Sequence, residues 1–481
     1  MRGNFTKFGG WLRLSGLFGL SLMLVGLVTP VLPAFAVADP SKTGYPGLTV
    51  STGDSITRAF GSGSSVADVP ENSWSTGTNS AVNSHYQRIL AANSAVSSFN
   101  AAVSGAKMVD LSAQMNVAIA KNADYLTILM GANDVCASDE ASMTPVATFR
   151  SQFQAALASL SSGLPDARIF VASIPDIYNL WLILHKNAAA VSLWSMGICP
   201  AMLAKPDMED QPNNDRRARV RQRIIDFNTQ LAQICATFLH CRFDNNAVFN
   251  DPFTPADVSG LDYYHPSVIG QSRLASVSYA ASYNFSEALA PTSTISQADP
   301  VSGGFRLTLT ATDNAGVAGI EYRTEAGNWQ SYPGPTNFVS PSAKFSYRAV
   351  DLNGNVEAAR YVYLITKPVD DGLNSTAGTL SYALTDAIAD RSNIYFALSS
   401  GTIIQLNQKL PDVPPGLKIE AACNNGKPTI TLDGTGTPPG TPGLVLGGRD
   451  SLKGLKLSGF KGKSVIANSK GNRLACIAVS K

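Results

Sequence analysis

Ser55 is the first residue whose type and position suggest covalent chemistry. It lies in Gly53–Thr57 (GDSIT), directly after an apolar run over Leu48–Thr52. A serine on a tight turn between a strand and a helix exposes its Oγ at the edge of a sheet, where its own backbone N–H can also stabilise an oxyanion. The alternative is a helix N-cap, because Asp and Ser are both favoured there.

Two later segments contain groups that can donate hydrogen bonds to an oxyanion. Gly105, in Asn100–Ala106 (NAAVSGA), lets the backbone approach a substrate and aim an N–H at it. Asn133, in Gly131–Asp134 (GAND), carries a side-chain NH₂ that can donate in the same crevice. Taken singly, each segment is more typical of an ordinary loop, since Gly and Asn are common turn residues.

Asp262 and His265 belong to the fourth such segment, Asp262–Pro266 (DYYHP). Residues three apart in a turn can share a face, so the Asp262 carboxylate can hold the Nδ1–H of His265 and leave Nε2 to accept the Ser55 proton. A lone histidine is usually structural. An Asp-x-x-His late in the chain, with an exposed serine early in it, instead predicts a Ser-His-Asp triad.

Strands and helices alternate along the part of the chain that carries these residues. Leu48–Thr52, Tyr125–Met130 and Arg168–Ser173 are predicted as buried strands, and Val146–Leu160 and Asp215–Ala236 as helices. Apolar runs that alternate with amphipathic segments indicate a parallel sheet covered by helices on both faces. In such sheets, sites form at the carboxyl ends of the strands.

The four segments resemble, in their order along the chain, the motif blocks of the SGNH (GDSL) hydrolase family, from about Leu48 to Ser276. The resemblance implies a flavodoxin-like three-layer α/β fold. It also implies a serine ester hydrolase that needs no cofactor and no metal ion. Ile56 stands where the family name has Leu, which is a conservative departure.

By the same resemblance, Ser55 is the nucleophile, His265 the general base and acid, and Asp262 the carboxylate that orients the histidine. The oxyanion hole consists of the backbone N–H groups of Ser55 and Gly105 and the side chain of Asn133. Three further segments resemble the phospholipase B branch of the family: Ser73–Gly77, Gly131–Cys136 and Ser173–Trp181.

Three tryptophans and two loops are candidates for shaping the substrate site. Trp74, Trp181 and Trp194 either pack in the core or at the surface, or line an acyl groove. The loops over 61–80 and 180–212 are expected to decide which substrates fit.

The pattern of predicted secondary structure changes near Ala290. Strand-and-turn patterns over 291–366 predict an immunoglobulin-like β-sandwich. This stretch resembles bacterial extracellular immunoglobulin-like modules at Thr310–Gly316 (TATDNAG) and Asp351–Asn355 (DLNGN). Short apolar triplets between Gly- and Pro-rich turns over 367–481 predict a short parallel β-helix, similar to the opening coils of pectate-lyase-like surface proteins.

The first 36 residues have the pattern of a secretory signal peptide. Basic residues precede an apolar run over Leu14–Val28, and Ala34–Ala36 is a small-residue cleavage site. We expect cleavage after Ala36 and export. The alternative is an uncleaved membrane anchor, which the length of the run disfavours. Without 1–36, the chain has 34 basic and 35 acidic residues, a balance that excludes the charge profile of a nucleic-acid-binding protein.

Six cysteines suit an oxidising compartment. Their pairing is not dictated by spacing alone, and we predict Cys136–Cys199, Cys235–Cys241 and Cys423–Cys476. A zinc site is disfavoured because the sequence has no Cys-x-x-Cys and its four histidines are scattered.

The predicted organisation is a signal peptide (1–36), an SGNH hydrolase domain (45–290), an immunoglobulin-like sandwich (291–366) and a β-helix-like segment (367–481). The predicted function is extracellular hydrolysis of an ester of a lipid, phospholipid included, or of an acylated glycan. The C-terminal β modules are expected to contact a cell surface or a glycan, and no nucleic acid is expected as a partner. The alternatives are a polysaccharide O-acetyl esterase and a non-catalytic cell-surface adhesin.

Overall fold

The computed structural model describes residues 44–325, 327–339, 342–370, 372 and 376–480. The predicted signal peptide and its cleavage site lie outside these residues. Within the described part of the chain, no helix is both long enough and apolar enough to cross a membrane.

A five-stranded parallel sheet forms the centre of the first half of the chain. Its strands are β1 (Leu48–Gly53), β2 (Ser97–Asn100), β3 (Tyr125–Leu129), β4 (Arg168–Val171) and β5 (Cys241–Phe243). They lie in the order β2-β1-β3-β4-β5, which is the flavodoxin-like order of doubly wound sheets. β3 and β4 are buried at every position, so both faces of the sheet are covered, as their apolar runs predict.

Helices cover this sheet and carry the loops at its edges. They are α1 (His85–Leu90), α2 (Leu111–Ala120), α3 (Ala132–Val135), α4 (Val146–Gly163), α5 (Ile177–Leu184), α6 (Ala188–Trp194), α7 (Pro200–Leu203), α8 (Gln211–Cys235), α9 (Ala247–Asn250) and α10 (Val268–Ala281), with 3₁₀ turns at Pro70–Asn72, Met108–Asp110 and Pro255–Asp257. α8 begins four residues before its predicted start. The Asp210 side chain caps it by accepting a hydrogen bond from the Asn213 N–H, an N-cap that extends the helix beyond its amphipathic part.

Two strands of the sheet are absent from the sequence prediction. β2 has no apolar run that would mark it as a buried strand. Its side chains are alternately exposed and half-buried. β5 is three residues long and half-buried throughout. Both are held by pairing with a neighbouring strand, β2 with β1 and β5 with β4, and that pairing is a long-range contact that local patterns do not report.

The stretch after residue 290 begins with antiparallel strands in two layers. Its strands are β6 (Thr292–Val301), β7 (Gly304–Thr312), β8 (Val317–Thr324), β9 (Gln330–Ser331), β10 (Thr336–Val339), β11 (Lys344–Asp351) and β12 (Arg360–Ile365). β10, β7 and β6 form one sheet, while β12, β11, β8 and β9 belong to another. Apolar side chains from both sheets share one core, among them Leu307, Phe338, Phe345 and Leu364.

The last stretch adds strands that pair in parallel, except for one short antiparallel pair over Cys423–Asn424 and Lys427–Pro428. They are β13 (Val369–Asp370), β14 (Ser392–Phe396), β15 (Thr402–Leu406), β16 (Lys418–Glu420), β17 (Cys423–Asn424), β18 (Lys427–Pro428), β19 (Ile430–Asp433), β20 (Leu444–Leu446), β21 (Ser451–Lys453), β22 (Leu455–Ser458), β23 (Val465–Ala467), β24 (Arg473–Ala475) and β25 (Ala478–Ser480), with α11 (Leu380–Asp386) among them. One parallel sheet runs β13-β15-β19-β22-β25. Ile404, Leu432 and Leu457 align across its neighbouring strands and are buried.

The two stretches share one continuous sheet. β12 pairs antiparallel with β11 on one side and parallel with β14 on the other. An eight-stranded sheet therefore runs β24-β21-β16-β14-β12-β11-β8-β9. The predicted boundary at residue 366 falls between two strands of this sheet, so backbone hydrogen bonds join the two stretches into one β-rich region.

All three predicted disulfides are confirmed. Cys136–Cys199, Cys235–Cys241 and Cys423–Cys476 are bonded. The first joins the end of α3 to the residue before α7. It therefore ties the 188–204 segment to the carboxyl edge of the parallel sheet.

The β-rich region contacts the α/β domain at the amino ends of the parallel strands. Arg168, the first residue of β4, is buried and donates to the Gly44 carbonyl oxygen at 2.5 Å and to Asn355 Oδ1 at 2.7 Å. The same Asn355 oxygen accepts the Gly44 N–H at 3.0 Å. Arg348 pairs with Asp166, two residues before β4, at 2.6 Å. The contact thus lies on the edge of the sheet opposite the carboxyl ends.

We expect Asn355→Ala to lower the free energy of unfolding by about 2–3 kcal/mol, because it removes the acceptor that the buried Arg168 guanidinium and the Gly44 N–H share. Urea denaturation of the purified protein measures this. The exposed Asn424 provides the matched control, and Asn424→Ala should change stability by less than about 0.5 kcal/mol. Equal effects of the two substitutions would contradict the role of Asn355 in joining the domains.

Candidate active site

The turn that carries Ser55 begins at Gly53, the last residue of β1. Gly53 has φ +146°, and a Cβ there would lie 2.3 Å from the Leu129 carbonyl oxygen. The Gln114 side chain holds both backbone groups of Gly53, accepting its N–H at 2.7 Å and donating to its carbonyl oxygen at 2.9 Å. Only glycine fits at this end of β1, and the backbone conformation of Gly53 places Ser55 on the turn at the carboxyl edge of the sheet.

The three predicted triad residues lie within hydrogen-bond distance of one another. Ser55 Oγ is 2.7 Å from His265 Nε2, although 210 positions separate them in the chain. His265 Nδ1 is 2.7 Å from Asp262 Oδ2. The other carboxylate oxygen, Oδ1, accepts the backbone N–H groups of Tyr264 at 2.9 Å and His265 at 3.0 Å. One carboxylate therefore fixes both the turn and the ring.

The charge of Asp262 decides where the proton of His265 lies. Burial raises the pKa of Asp262, but the hydrogen bond and charge of His265 and two backbone N–H groups lower it more, so the pKa stays below its ordinary value. An ionised carboxylate only accepts hydrogen bonds. The Nδ1–H of His265 therefore donates to Asp262, and Nε2 is left to accept the Ser55 hydroxyl proton.

The predicted oxyanion donors line one open cleft together with Ser55 and His265. The cleft has a volume of about 330 Å³. Gly105 has φ +84° and open space where a Cβ would lie. Among the residues that the structure describes, the N–H groups of Ser55 and Gly105 have no acceptor. Asn133 Nδ2 donates one hydrogen to the Ala106 carbonyl oxygen at 3.0 Å, and its second hydrogen remains for a group in the cleft.

The remaining wall of the cleft consists of residues to which the sequence analysis gave no individual role in the site. They are Phe60, Ser104, Cys136, Ile198, Cys199 and Tyr264. Of the two loops expected to decide substrate size, 180–212 contributes Ile198 and Cys199. The cleft walls of the described chain include no residue from 61–80. The Cys136–Cys199 disulfide explains the difference between the two loops, because it holds the 180–212 loop against the cleft.

The three tryptophans pack in the core. Trp74, Trp181 and Trp194 are buried, and the indole N–H of each donates within the protein, the last to the Tyr263 carbonyl oxygen at 3.1 Å. None of them lines the cleft. Trp194 instead supports the turn on which His265 lies.

Asp54 is a buried carboxyl group beside Ser55 that the sequence analysis did not single out. Its Oδ1 accepts the Ile56 N–H at 2.9 Å, while its Oδ2 has no hydrogen-bond partner among the described residues. Burial raises the pKa of Asp54 to about 7. The Ile56 hydrogen bond and the nearby His265 oppose this rise, and Asp134 adds to it. Its position inside the GDSIT segment was the signal available in the sequence.

Titration of Asp54 predicts a specific pH dependence of stability. Its pKa is about 7 in the folded protein against 3.8 ordinarily, so the folded state binds more protons between these values and the free energy of unfolding falls as the pH rises through this window. The Asp54→Asn variant should lose this decline, so its melting temperature should drop less than that of the wild type between pH 5 and pH 8. The exposed Asp412→Asn is the control, and equal slopes for wild type and Asp54→Asn would contradict the assignment.

Comparison with known proteins assigns a family to the part of the chain that carries this site. Residues 52–273 match the model of the GDSL-like Lipase/Acylhydrolase family. The chain therefore carries a GDSL (SGNH) hydrolase domain, and the protein is a carboxylic ester hydrolase. No curated protein sequence matches the chain.

Three solved structures to which the chain is similar are all of enzymes. An α/β hydrolase, LAE5, from the metagenome of Lake Arreo has 15% identity and a TM-score of 0.33, with 50% of this chain and 97% of that one covered. A catalytic mutant of Axe2, an acetylxylan esterase from Geobacillus stearothermophilus, has 18% identity, a TM-score of 0.32 and coverage of 50% and 95%. An extracellular lipase from Streptomyces rimosus has 19% identity, a TM-score of 0.33 and coverage of 49% and 99%.

Proposed function

We propose that the protein hydrolyses carboxylic esters through a covalent acyl-enzyme formed on Ser55. The observation that carries this proposal is the continuous hydrogen-bonded chain from Ser55 Oγ through His265 to Asp262, with 2.7 Å at each link. A hydroxyl within reach of an imidazole that is itself oriented by a carboxylate is an activated nucleophile. A binding protein has no need of all three groups in this arrangement, which argues against the adhesin alternative.

Acylation begins when Ser55 Oγ attacks the ester carbonyl carbon and its proton passes to His265 Nε2. The carbonyl oxygen becomes an oxyanion, which the Ser55 and Gly105 N–H groups and the Asn133 NH₂ stabilise with hydrogen bonds. The carbon–oxygen bond to the alcohol then breaks, and His265 protonates the departing alkoxide. In the second half, His265 takes a proton from water, the hydroxide attacks the acyl-enzyme, and the acid leaves as Ser55 regains its proton.

Asp262 acts through His265. Its charge stabilises the imidazolium that exists in both tetrahedral intermediates, and its hydrogen bond keeps the ring in the tautomer that can accept from Ser55. The low pKa of Asp262 supports this role, because the carboxylate remains ionised as the solution becomes moderately acidic.

We propose further that the protein works outside the cell. The signal-peptide pattern of residues 1–36 and the three disulfides of the mature chain support export. Esters of lipids, phospholipids included, and acylated glycans are both accessible there. The phospholipase B-like segments favour lipids, whereas an O-acetylated polysaccharide is the alternative substrate.

The β-rich region is proposed to consist of an immunoglobulin-like sandwich followed by a short parallel β-helix. The two-layered antiparallel strands with a shared core support the first, and the parallel registers of β15, β19 and β22 support the second. Because this region contacts the domain at the edge opposite Ser55, its proposed role is to contact a cell surface or a glycan rather than to bind the scissile ester.

Hydrolysis of a p-nitrophenyl ester series, from acetate to palmitate, tests the proposed function. Ser55→Ala should lower kcat by about 10⁴-fold or more, whereas Asn133→Ala should lower it by only about 10²–10³-fold, because other oxyanion donors remain. Ser151→Ala, on an exposed helix position, is the control and should retain wild-type activity. Full activity in a folded Ser55→Ala protein would reject the nucleophile, and equal losses for Ser55→Ala and Asn133→Ala would reject the role of Asn133.

A further inference from the structure

Tyr264 separates the catalytic cleft from a second cavity. Behind the cleft lies a small chamber of about 60 Å³. Tyr264 is the one residue of the described chain that lines both the cleft and the chamber. Tyr264 therefore forms part of the wall that the cleft and this extra space share.

The chamber is suited to hydrocarbon. Its walls are mostly apolar and include Ile56, Ala132, Leu180, Phe253, Val258 and Pro266. Ile56, Ala132 and Pro266 are the chain neighbours of Ser55, Asn133 and His265. The chamber thus lies directly against the residues that hold the reacting ester, and burial of a methylene group there would be favourable.

Contacts on three sides hold Tyr264 in its dividing position. Its hydroxyl is 2.9 Å from Cys136 Sγ, and its ring stands edge-on to the ring of His265, with centroids 5.0 Å apart. Its backbone N–H donates to Asp262, and the preceding residue has φ +53°. The direction of the side chain is therefore set by the same turn that sets the direction of His265.

We propose that Tyr264 determines the length of the acyl chain that the enzyme accepts, and that the native enzyme prefers short acyl groups. Of the two substrate classes proposed above, this preference favours the O-acetylated polysaccharide over long-chain lipid esters. This inference rests on the proposed acyl-enzyme at Ser55. An acetyl or butyryl group bonded to Ser55 Oγ fits in the cleft in front of Tyr264. A longer chain meets the phenol ring and cannot reach the apolar chamber, so its additional methylene groups remain in water and contribute little to transition-state binding.

Removal of the ring tests the proposal by opening a new path. Tyr264→Ala should raise the ratio of kcat/KM for p-nitrophenyl octanoate over acetate by at least about tenfold, because one methylene group in an apolar pocket is worth about that factor. Tyr264→Phe, which keeps the ring and loses the hydroxyl, should leave this ratio within about twofold of the wild type. The ratio is informative even when loss of the contact to His265 lowers both rates.

A second variant checks that the chamber itself receives the chain. Leu180→Trp, combined with Tyr264→Ala, fills the chamber from α5 and should return the octanoate-to-acetate ratio to the wild-type value. Persistence of the raised ratio in this double variant would overturn the assignment of the chamber.

Three further outcomes separate this inference from the proposed function. Ser55-dependent hydrolysis in the wild type, with an unchanged ratio in Tyr264→Ala, would overturn the role of Tyr264 alone. The proposal would also be overturned if Tyr264→Ala changed how kcat/KM depends on the length of the alcohol in a series of alkyl acetates, but not how kcat/KM depends on the length of the acyl chain. Absence of Ser55-dependent hydrolysis of any ester by the folded wild type would reject the proposed function, and this inference with it.

Discussion

The carboxylate of Asp262 organises the site more than any other group. It accepts three hydrogen bonds, from the backbone N–H groups of Tyr264 and His265 and from the His265 ring. Hydrogen bonds to a charged acceptor contribute about 1.5–3 kcal/mol each. At Asp262 they outweigh the cost of burying the charge, because the pKa of this carboxyl group lies below its ordinary value. The turn, the tautomer of the base and the direction of the Tyr264 side chain all depend on this one ionised group.

Asp54, the buried acid beside Ser55, shows the opposite pKa shift. Asp54 lacks a compensating set of hydrogen bonds, so burial dominates and raises its pKa to about 7. In the proposed acylation step, a protonated Asp54 would not repel the oxyanion, whereas an ionised one would oppose its formation. The pKa values of the two carboxyl groups near Ser55 thus shift in opposite directions, because Asp262 accepts three hydrogen bonds and Asp54 accepts one from a backbone N–H.

The two edges of the parallel sheet carry different parts of the structure. The carboxyl edge carries Ser55 and the cleft, while the amino edge binds the β-rich region through Arg168 and Asn355. The two stretches of that region are themselves joined by one sheet. The disulfide-tethered segment with Ile198 and Cys199 contributes to the wall of the cleft, so the cleft and the contact with the β-rich region lie at opposite edges of the sheet.

The sequence by itself determined the chemical segments and the parallel α/β class, because a turn such as DYYHP brings its acid and base together locally and apolar runs mark buried strands. The predicted pairing of the six cysteines is confirmed, although the spacing of the cysteines alone did not dictate it. The tertiary structure alone decided the rest. β2 and β5 exist only through pairing with β1 and β4, the pKa of Asp54 is raised mainly by burial, and Tyr264 lines two cavities built from distant loops. These features depend on strand register, desolvation and contacts between residues far apart in the chain, none of which a local pattern of side chains encodes.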